Sequence, residues 1–286
     1  MRFTFEHPQM GTLFRITVYA PDEQVAERGS QLAFDRLDDL NQQLSDYEPH
    51  SALNAFDAKA GDGVWHELPP DLWRVLREAQ EVYRRSGGAF DVSIGPLSRL
   101  WRRAFRRQEF PDVLLLAEAK KKVNGSWIKL QRRDYRGKLL HSGMELDLGG
   151  IAKGYALDEM AIELERQGLY IFLLDGGGDL LAGQAPPGER GWRVRTPKDS
   201  SLVIVQEAVA TSGDSYRYLE HEGKRYSHLV DPRTGYGVQH QRLVTVRAPT
   251  ATLADAWASA CSILSSKDIE RILSKPWAQS LDLLPH

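Results

Sequence analysis

Short segments of this chain alternate apolar and polar residues, and longer segments repeat apolar residues at helical spacing. The alternation over residues 14–19 predicts a half-buried strand, and the spacing over residues 22–44 predicts a long helix after it. The same spacing predicts further helices over residues 69–85, 110–123, 154–167 and 253–264. The glycine pair that follows the first of these is typical of a helix end.

Short apolar segments separated by turns dominate the middle and the end of the chain. They predict strands over residues 127–130, 138–141, 145–148, 171–174, 180–182, 192–195, 202–210, 216–220 and 243–248. Most connections are too short for crossovers, so the sheets are expected to be antiparallel. Together with the helices they predict an α+β fold. No repeat or flexible linker divides the chain, so we expect one domain over residues 1–286.

Charge and cysteine content restrict the chemistry. The formal net charge of −2 favours neither a nucleic acid nor a membrane as partner, and the basic cluster at residues 99–107 is interpreted as the solvated face of a helix. Cys261 is the single cysteine, which excludes an internal disulfide and a cysteine metal cluster. The first residues contain no apolar stretch long enough for a signal peptide or a membrane anchor.

A glycine turn between an apolar segment and a helix is the most informative feature of the chain. A strand predicted to end before Gly149-Gly150 is followed by a helix that starts near Gly154. Glycines let a ligand approach the backbone, a helix start presents N–H groups and positive dipole, and Lys153 adds a charge, so the segment predicts a phosphate site. Its spacing fits neither the P-loop nor the dinucleotide-binding pattern. The alternative is a tight turn beside a solvated lysine.

Asp255 and Ser259 lie four residues apart in a helical pattern, so their oxygens project from one face. Magnesium prefers hard oxygen ligands and often takes only one or two protein side chains, with phosphate and water completing its shell. The pair therefore predicts a magnesium site if a backbone carbonyl and a diphosphate contribute. The alternative is an aspartate near the start of a helix and an unrelated surface serine.

His228 and Asp231 lie three residues apart in a segment rich in turn residues. Imidazole titrates near neutral pH, so His228 could accept a proton from a hydroxyl nucleophile while a neighbouring carboxylate fixes its tautomer. The alternative is a structural histidine. Residues 231–235, framed by proline and glycine, are interpreted mainly as a turn that shapes the site.

A series of short motifs spans residues 10–260. They occupy residues 10–12, 45–51 with 53–54, 87–97, 147–158, 175–179, 211–214, 226–235 and 254–260. One of them alone would be a weak indication, but the series in this order resembles the ApbE family of flavin transferases. The chain is identified as a member of that family on these motifs.

The resemblance implies a fold and a reaction. Members of the family move FMN from FAD to a threonine hydroxyl of an acceptor flavoprotein, release AMP and depend on magnesium. The implied fold is of T-fold type, with antiparallel sheets, two interleaved subdomains and an FAD cleft between them. FAD, Mg²⁺ and an acceptor protein are thus the expected substrate, cofactor and partner.

The resemblance also implies roles for particular residues. The metal is expected at Asp255, Ser259 and the carbonyl of Ala152. The family's usual hydroxyl is a threonine, and serine lacks the methyl group that restricts its rotamer. His228 is expected as the base, with Asp255 as a second catalytic residue. The residues expected along FAD are Met10, Tyr47, Ala89, Phe90, Asp91, Gly149, Lys153, Tyr155, His228 and Leu229.

Two other functions stay open at this point. A magnesium-dependent FAD pyrophosphatase would use water in place of the threonine and needs the same residues. A non-catalytic FAD-binding protein would not need His228, Asp255 and Ser259, so their presence favours an enzyme. Asp179 and residues 211–214 match family motifs and are expected to shape the cleft rather than to bind the ligand directly.

The expected location is the cytoplasm. Many relatives are exported lipoproteins with a lipidated cysteine near the start, and no cysteine occurs there in this sequence. This interpretation holds unless residues before the first motif have been removed.

Overall fold

The computed structural model describes residues 1–195, 201–213 and 218–284. The helices are α1 (Glu23–Leu44), α2 (Ala52–Asp57), α3 (Pro70–Arg85), α4 (Gly95–Arg107), α5 (Val113–Lys120), α6 (Ala152–Arg166), α7 (Ala251–Ile263) and α8 (Ser266–Leu273). The strands are β1 (Arg2–Gln9), β2 (Thr12–Tyr19), β3 (His66–Glu67), β4 (Ile128–Gln131), β5 (Arg136–Leu139), β6 (Phe172–Gly176), β7 (Asp179–Ala182), β8 (Trp192–Arg195), β9 (Ser201–Ile204), β10 (Glu207–Gly213), β11 (Tyr218–His221), β12 (Lys224–Ser227), β13 (Leu243–Ala248) and β14 (Asp282–Leu284).

The largest sheet is antiparallel and combines strands from both ends of the chain, in the order β1-β2-β6-β7-β10-β13-β14. Within β2, Phe14, Ile16 and Val18 are fully buried on one face, as the alternation predicts. The hairpin between β1 and β2 turns at Met10-Gly11, both with positive φ, which is typical of a two-residue hairpin turn. Smaller sheets are formed by β3-β5-β4, β8-β9 and β11-β12.

Helices α1, α6 and α7 pack together on one face of this sheet and form the main hydrophobic core with it. α7 is buried on nearly all sides because it lies between β10 and β13 on one side and α6 and α3 on the others. Its Trp257 stacks on Trp277, with 5.4 Å between ring centroids. Each fully buried large side chain contributes about 1.5–3 kcal/mol, so this packing fixes α6 and α7 relative to the sheet.

Two smaller clusters flank the main core. One joins α4 and α5 to β11 and β12 through Leu97, Trp101, Leu116 and Tyr226. The indole N–H of Trp101 donates to the carbonyl of Gly235 (3.0 Å), which ties the loop after β12 to α4. The other cluster packs β8 and β9 against β7 and β10.

Most predicted elements are confirmed with shifted ends. The helices at α1, α3, α5, α6 and α7, the β4–β5 hairpin and the strands β2, β6, β7, β8 and β13 lie where the patterns place them. The ladders of the described strands are all antiparallel, and the mixture with helices confirms the α+β fold. The single-domain span and the two interleaved subdomains stay predictions.

Some predicted strands are wrong. Residues 145–148 form no ladder: Glu145 makes an isolated bridge to Ile94, and the N–H of Leu146 donates to the Asp57 carboxylate (2.8 Å). The strand predicted over residues 202–210 is divided into β9 and β10, because the chain turns at Gln206 with φ of 50°.

Other elements were missed or are only partly described. The patterns did not predict β1, β3, β12, β14, α2 or α8, and they indicated α4 only as the helix face at residues 99–107. The strand predicted over residues 216–220 corresponds to β11, and its first two residues lie outside the described part of the chain. In the part that the structure describes, the helices are too short or too polar to cross a lipid bilayer. The cytoplasmic location stays a prediction.

Asp57→Asn is expected to make the stability of the protein less dependent on pH. One carboxylate oxygen of Asp57 accepts the Leu146 N–H, and the other is buried with no partner among the described residues. Burial raises the pKa of Asp57 to about 8. Because the folded pKa lies above the unfolded value, wild-type stability falls as pH rises from about 4 to about 8, by on the order of a few kcal/mol.

Denaturant unfolding near pH 5 and near pH 9 measures the effect. The Asp57→Asn variant should gain stability relative to the wild type at the higher pH. Asp134→Asn is the control, because Asp134 is exposed. If all three proteins show the same pH dependence, Asp57 is not the buried neutral acid described here.

Candidate functional site

A cleft of about 1160 Å³ opens beside the start of α6. Its walls come from α4, the turn before α6, β10, the loop after β12 and α7. The residues predicted at the site that line it are Tyr47, Ala89, Phe90, Asp91, Gly149, Lys153, His228, Leu229, Asp255 and Ser259. The structure therefore brings most of the predicted residues into one cavity, although they come from segments far apart in the chain.

α6 starts without a capping side chain of its own. The residue before it is Ile151, which makes no side-chain cap, and the turn at Gly149-Gly150 leads directly into the helix. The carboxylate of Asp255 on α7 accepts the N–H of Gly154 instead (3.1 Å). A helix N-terminus carries partial positive charge, so this contact is favourable and places an acid at the start of α6.

α6 caps the start of α7 in return. Asp158 accepts the backbone N–H groups of Ala251 (2.8 Å) and Thr252 (2.9 Å), and also the Thr252 hydroxyl. Burial raises the pKa of Asp158, and these hydrogen bonds oppose the shift. Each of the two helices thus provides a carboxylate that accepts hydrogen bonds from N–H groups near the N-terminus of the other.

Two glycines permit the close approach of α6 and its preceding turn to α7. A Cβ atom at Gly154 would lie 2.2 Å from the Ala251 carbonyl oxygen and 2.9 Å from the Cβ of Asp255. A Cβ atom at Gly150 would lie 2.9 Å from Oγ of Ser259. A side chain at either position would push the oxygens of α7 away from the turn.

Lys153 is held between two carboxylates beside the start of α6. Its Nζ lies 2.6 Å from Oδ2 of Asp179 and 3.3 Å from Oδ2 of Asp255. Burial alone would lower the pKa of Lys153, but the two carboxylates outweigh burial and raise it above its usual value. Burial and the charge of Asp255 raise the pKa of Asp179 to about 7. When both acids are ionised, Lys153 balances only one of their two negative charges, which leaves room for a further cation.

The donor set at α7 fits a magnesium ion that shares a phosphate ligand. Asp255 and Ser259 line the cleft from one helix and offer hard oxygens. Among the described residues, no group of three or more His, Cys, Asp or Glu side chains could hold a metal. A cation here would therefore take other ligands from the backbone and from the substrate. Ala152 is buried at the first residue of α6 and is not among the cleft-lining residues.

Asp91 orders its own loop. Its carboxylate accepts the N–H (2.8 Å) and the hydroxyl (2.7 Å) of Ser93, and the N–H of Gly125 (2.8 Å). Burial raises the pKa of Asp91, and these hydrogen bonds oppose the shift. Asp91 therefore ties its own loop to the segment at Gly125, and its contact with a ligand stays a prediction.

His228 and Leu229 enter the cleft from the loop after β12, and His228 is exposed to solvent. The loop is fixed at its start by the buried Ser227, whose hydroxyl accepts the N–H of Leu229 (3.0 Å). The Asp231 carboxylate accepts the backbone N–H of Arg233 (2.9 Å) and pairs with its guanidinium (2.8 Å). These contacts are those of a turn-forming residue, as interpreted from the neighbouring proline and glycine.

Met10 and Tyr155 do not line this cleft. Met10 lies in the β1–β2 turn, borders a separate shallow hollow and packs against the main core. Tyr155 is buried beneath the start of α6, where its hydroxyl donates to Asp71 (2.8 Å), which also pairs with Arg36 (2.7 Å). This network supports the first turn of α6 from the core side.

Arg102 is a candidate that sequence reasoning missed. The interpretation of residues 99–107 as a solvated face is wrong for Arg102, which lines the cleft and pairs with Asp46 and with Asp147 (2.8 Å). Its guanidinium carbon lies 4.6 Å from the centroid of the Tyr47 ring. Helical spacing in the sequence shows a row of charged residues, but it does not show which acidic residues from other segments pair with them.

The motif at residues 211–214 is partly described. Thr211 and Ser212 line the cleft, and the Thr211 hydroxyl hydrogen-bonds to that of Thr245 (2.8 Å) on the neighbouring strand. Asp214 lies outside the described residues.

Comparison with known proteins identifies relatives along nearly the whole chain. The model of the ApbE family matches residues 10–281. An FAD:protein FMN transferase of Treponema pallidum (strain Nichols) is 32% identical over an alignment of 301 positions, which covers 96% of this chain and 83% of that protein. One from Klebsiella pneumoniae (strain 342) is 29% identical over 277 positions, covering 92% and 79%.

Solved structures show the same fold. The apo form of the flavinyl transferase ApbE of Pseudomonas stutzeri superposes with a TM-score of 0.86 at 24% identity and covers 99% of this chain and 90% of that one. The ApbE protein of Thermotoga maritima gives a TM-score of 0.85 at 25% identity, covering 99% and 93%.

Proposed function

The chain belongs to the ApbE family, and we propose that it is an FAD:protein FMN transferase, which moves FMN from FAD to a threonine of an acceptor flavoprotein. One observation carries the proposal: the helix start with Lys153 and the oxygens of Asp255 and Ser259 meet at one wall of a large cleft. A diphosphate bound at this wall could therefore contact the start of α6 and Lys153 and also share a metal ion with Asp255 and Ser259.

The start of α6 would bind the diphosphate of FAD. The helix dipole favours negative charge there, and Lys153 supplies a full positive charge. Lys153 would then share its charge between phosphate and the carboxylates of Asp179 and Asp255 that surround it. Gly149, which lines the cleft without a side chain, leaves room for the ligand at the turn.

Asp255, Ser259 and, by analogy with the family, the carbonyl of Ala152 would hold a magnesium ion. When bound, it would neutralise phosphate oxygens and the charge that develops on the departing AMP. The protein's contribution is placement: Gly154 and Gly150 let α7 approach the turn until Asp255 and Ser259 lie beside it.

His228 would take the proton of the acceptor threonine. The threonine oxygen forms a bond to the FMN phosphorus, the bond from that phosphorus to the bridging oxygen breaks, and AMP leaves. A hydroxyl is a weak nucleophile until a base removes its proton, and the exposed imidazole at the cleft is accessible to an incoming protein. Tyr47, Phe90 and Leu229 would supply apolar surface for the rings of FAD.

Labelling of an acceptor tests the proposed function. Incubation with FAD, Mg²⁺ and candidate acceptor flavoproteins should give flavin fluorescence that stays with the acceptor on a denaturing gel. Asp255→Ala should reduce labelling roughly hundredfold or more, because it removes a metal ligand and the cap of α6. Asp268→Ala is the control, since that aspartate lies in the first turn of α8, outside the cleft lining. Release of free FMN and AMP without labelled acceptor would instead indicate a hydrolase.

Magnesium should strengthen FAD binding, because the ion and the diphosphate complete each other's contacts. Calorimetric titration of FAD with Mg²⁺ should give an affinity roughly tenfold or more above that with chelator. Ser259→Thr should preserve the difference and Ser259→Ala should reduce it, because only threonine keeps the oxygen. Equal affinities with and without the metal would contradict the shared site.

His228→Ala should leave FAD bound but slow FMN transfer by roughly 10²–10⁴-fold, the range typical of a lost general base. Binding is followed by flavin fluorescence and transfer by the rate of acceptor labelling. His141→Ala serves as control, because that histidine is exposed outside the cleft. If His228→Ala loses FAD affinity and keeps the turnover of bound FAD, the histidine is a binding residue and not the base.

A further inference from the structure

Arg102 links three segments of the cleft wall. Its guanidinium pairs with Asp46 in the loop after α1 and with Asp147 before the glycine turn (2.8 Å). It also lies against the ring of Tyr47, 4.6 Å from the centroid. The second oxygen of Asp147 accepts the N–H of Gly149 (2.9 Å). One side chain therefore connects the aromatic side of the cleft to the turn at the start of α6.

The arrangement differs from that of a surface arginine. The side chain of Arg102 is 35% exposed, whereas Arg103 and Arg107 on the same helix are exposed and form no ion pair with a described residue. Burial and the charge of Asp147 raise the pKa of Asp46, and Arg102 opposes this shift. Without the guanidinium, two carboxylates would face each other in the cleft wall and repel.

The contact with Arg102 also determines what Tyr47 can offer. Tyr47 is 72% exposed, so little packing restricts its ring. A cation against one face of an aromatic ring is attracted to it by roughly 0.5–2 kcal/mol. With one face held in this way, the ring has a defined orientation and its other face is available to a second flat group.

We propose that Arg102 is a positioning residue for FAD, which holds Tyr47 in register with the glycine turn so that a flat ring of FAD and its diphosphate bind together. The proposal rests on the FAD-binding part of the proposed function. It assigns Arg102 no contact with the reacting atoms. It requires instead that the effects of Arg102 and Tyr47 on FAD affinity depend on each other.

A double-mutant cycle tests this dependence. FAD affinity is measured for the wild type, Arg102→Ala, Tyr47→Ala and the double variant. Each single change should weaken FAD binding by roughly tenfold, and the double variant should bind about as weakly as the single variants. Arg102→Lys should recover only part of the affinity, because an ammonium cannot pair with both carboxylates in one plane. Arg103→Ala is the matched control and should bind FAD as the wild type does.

The readouts separate positioning from general stability and from catalysis. In Arg102→Ala, KM for FAD should rise while kcat at saturating FAD stays within about twofold. If Arg102→Ala does not fold, Asp46→Asn and Arg102→Lys replace it in the cycle. Additive effects, or unchanged FAD affinity in the folded variants, would overturn the proposal. If the wild type binds FAD but labels no acceptor, the proposed transferase function is wrong. The double-mutant cycle would still test the role of Arg102, because it measures FAD binding alone.

Discussion

The rest of the site depends on a reciprocal contact between α6 and α7, in which a carboxylate on each helix accepts N–H groups near the start of the other. Asp255 of α7 accepts the N–H of Gly154, and Asp158 of α6 accepts the first N–H groups of α7. The first N–H groups of a helix have no hydrogen-bond partner within that helix, and in the core they need one from elsewhere. Here the neighbouring helix supplies it. The reciprocal contact is possible only because Gly154, which has no side chain, lets the backbone of α6 approach that of α7. These contacts fix the distance between the start of α6, the proposed phosphate site, and the oxygens of Asp255 and Ser259.

The same contacts concentrate charge where a charged substrate would enter. Lys153 lies between Asp179 and Asp255, and neither acid is far from its ammonium group. Buried charges are tolerated when they are paired and hydrogen-bonded, and one lysine between two acids leaves room for another cation. A diphosphate brings negative charge and magnesium brings positive charge, so the two together change the net charge of the site less than either would alone. The chain therefore carries in its own residues the electrostatic complement of its proposed substrate.

The sequence indicated which residues would line the cleft better than it indicated the contacts that these residues make. The motifs with Lys153, His228 and Asp255 were recognisable because each keeps its spacing within one segment, and the fold brings these segments to one cleft. The cap of α6 was not predictable, because the accepting carboxylate comes from a residue 101 positions later. The role of Arg102 was hidden for the same reason, since its partners lie 56 and 45 positions away. The segment at residues 145–148 has the composition of a strand, but composition does not reveal whether a neighbouring strand is present to pair with it.

A crystal structure of the chain with FAD and Mg²⁺ would test the central claim most directly. The account predicts the diphosphate at the start of α6, within hydrogen-bonding reach of Lys153, and the metal between the diphosphate and the oxygens of Asp255 and Ser259. It also predicts that the Gly154 contact with α7 is preserved in the complex. FAD bound elsewhere, such as the hollow beside Met10, or a metal held without Asp255, would contradict it.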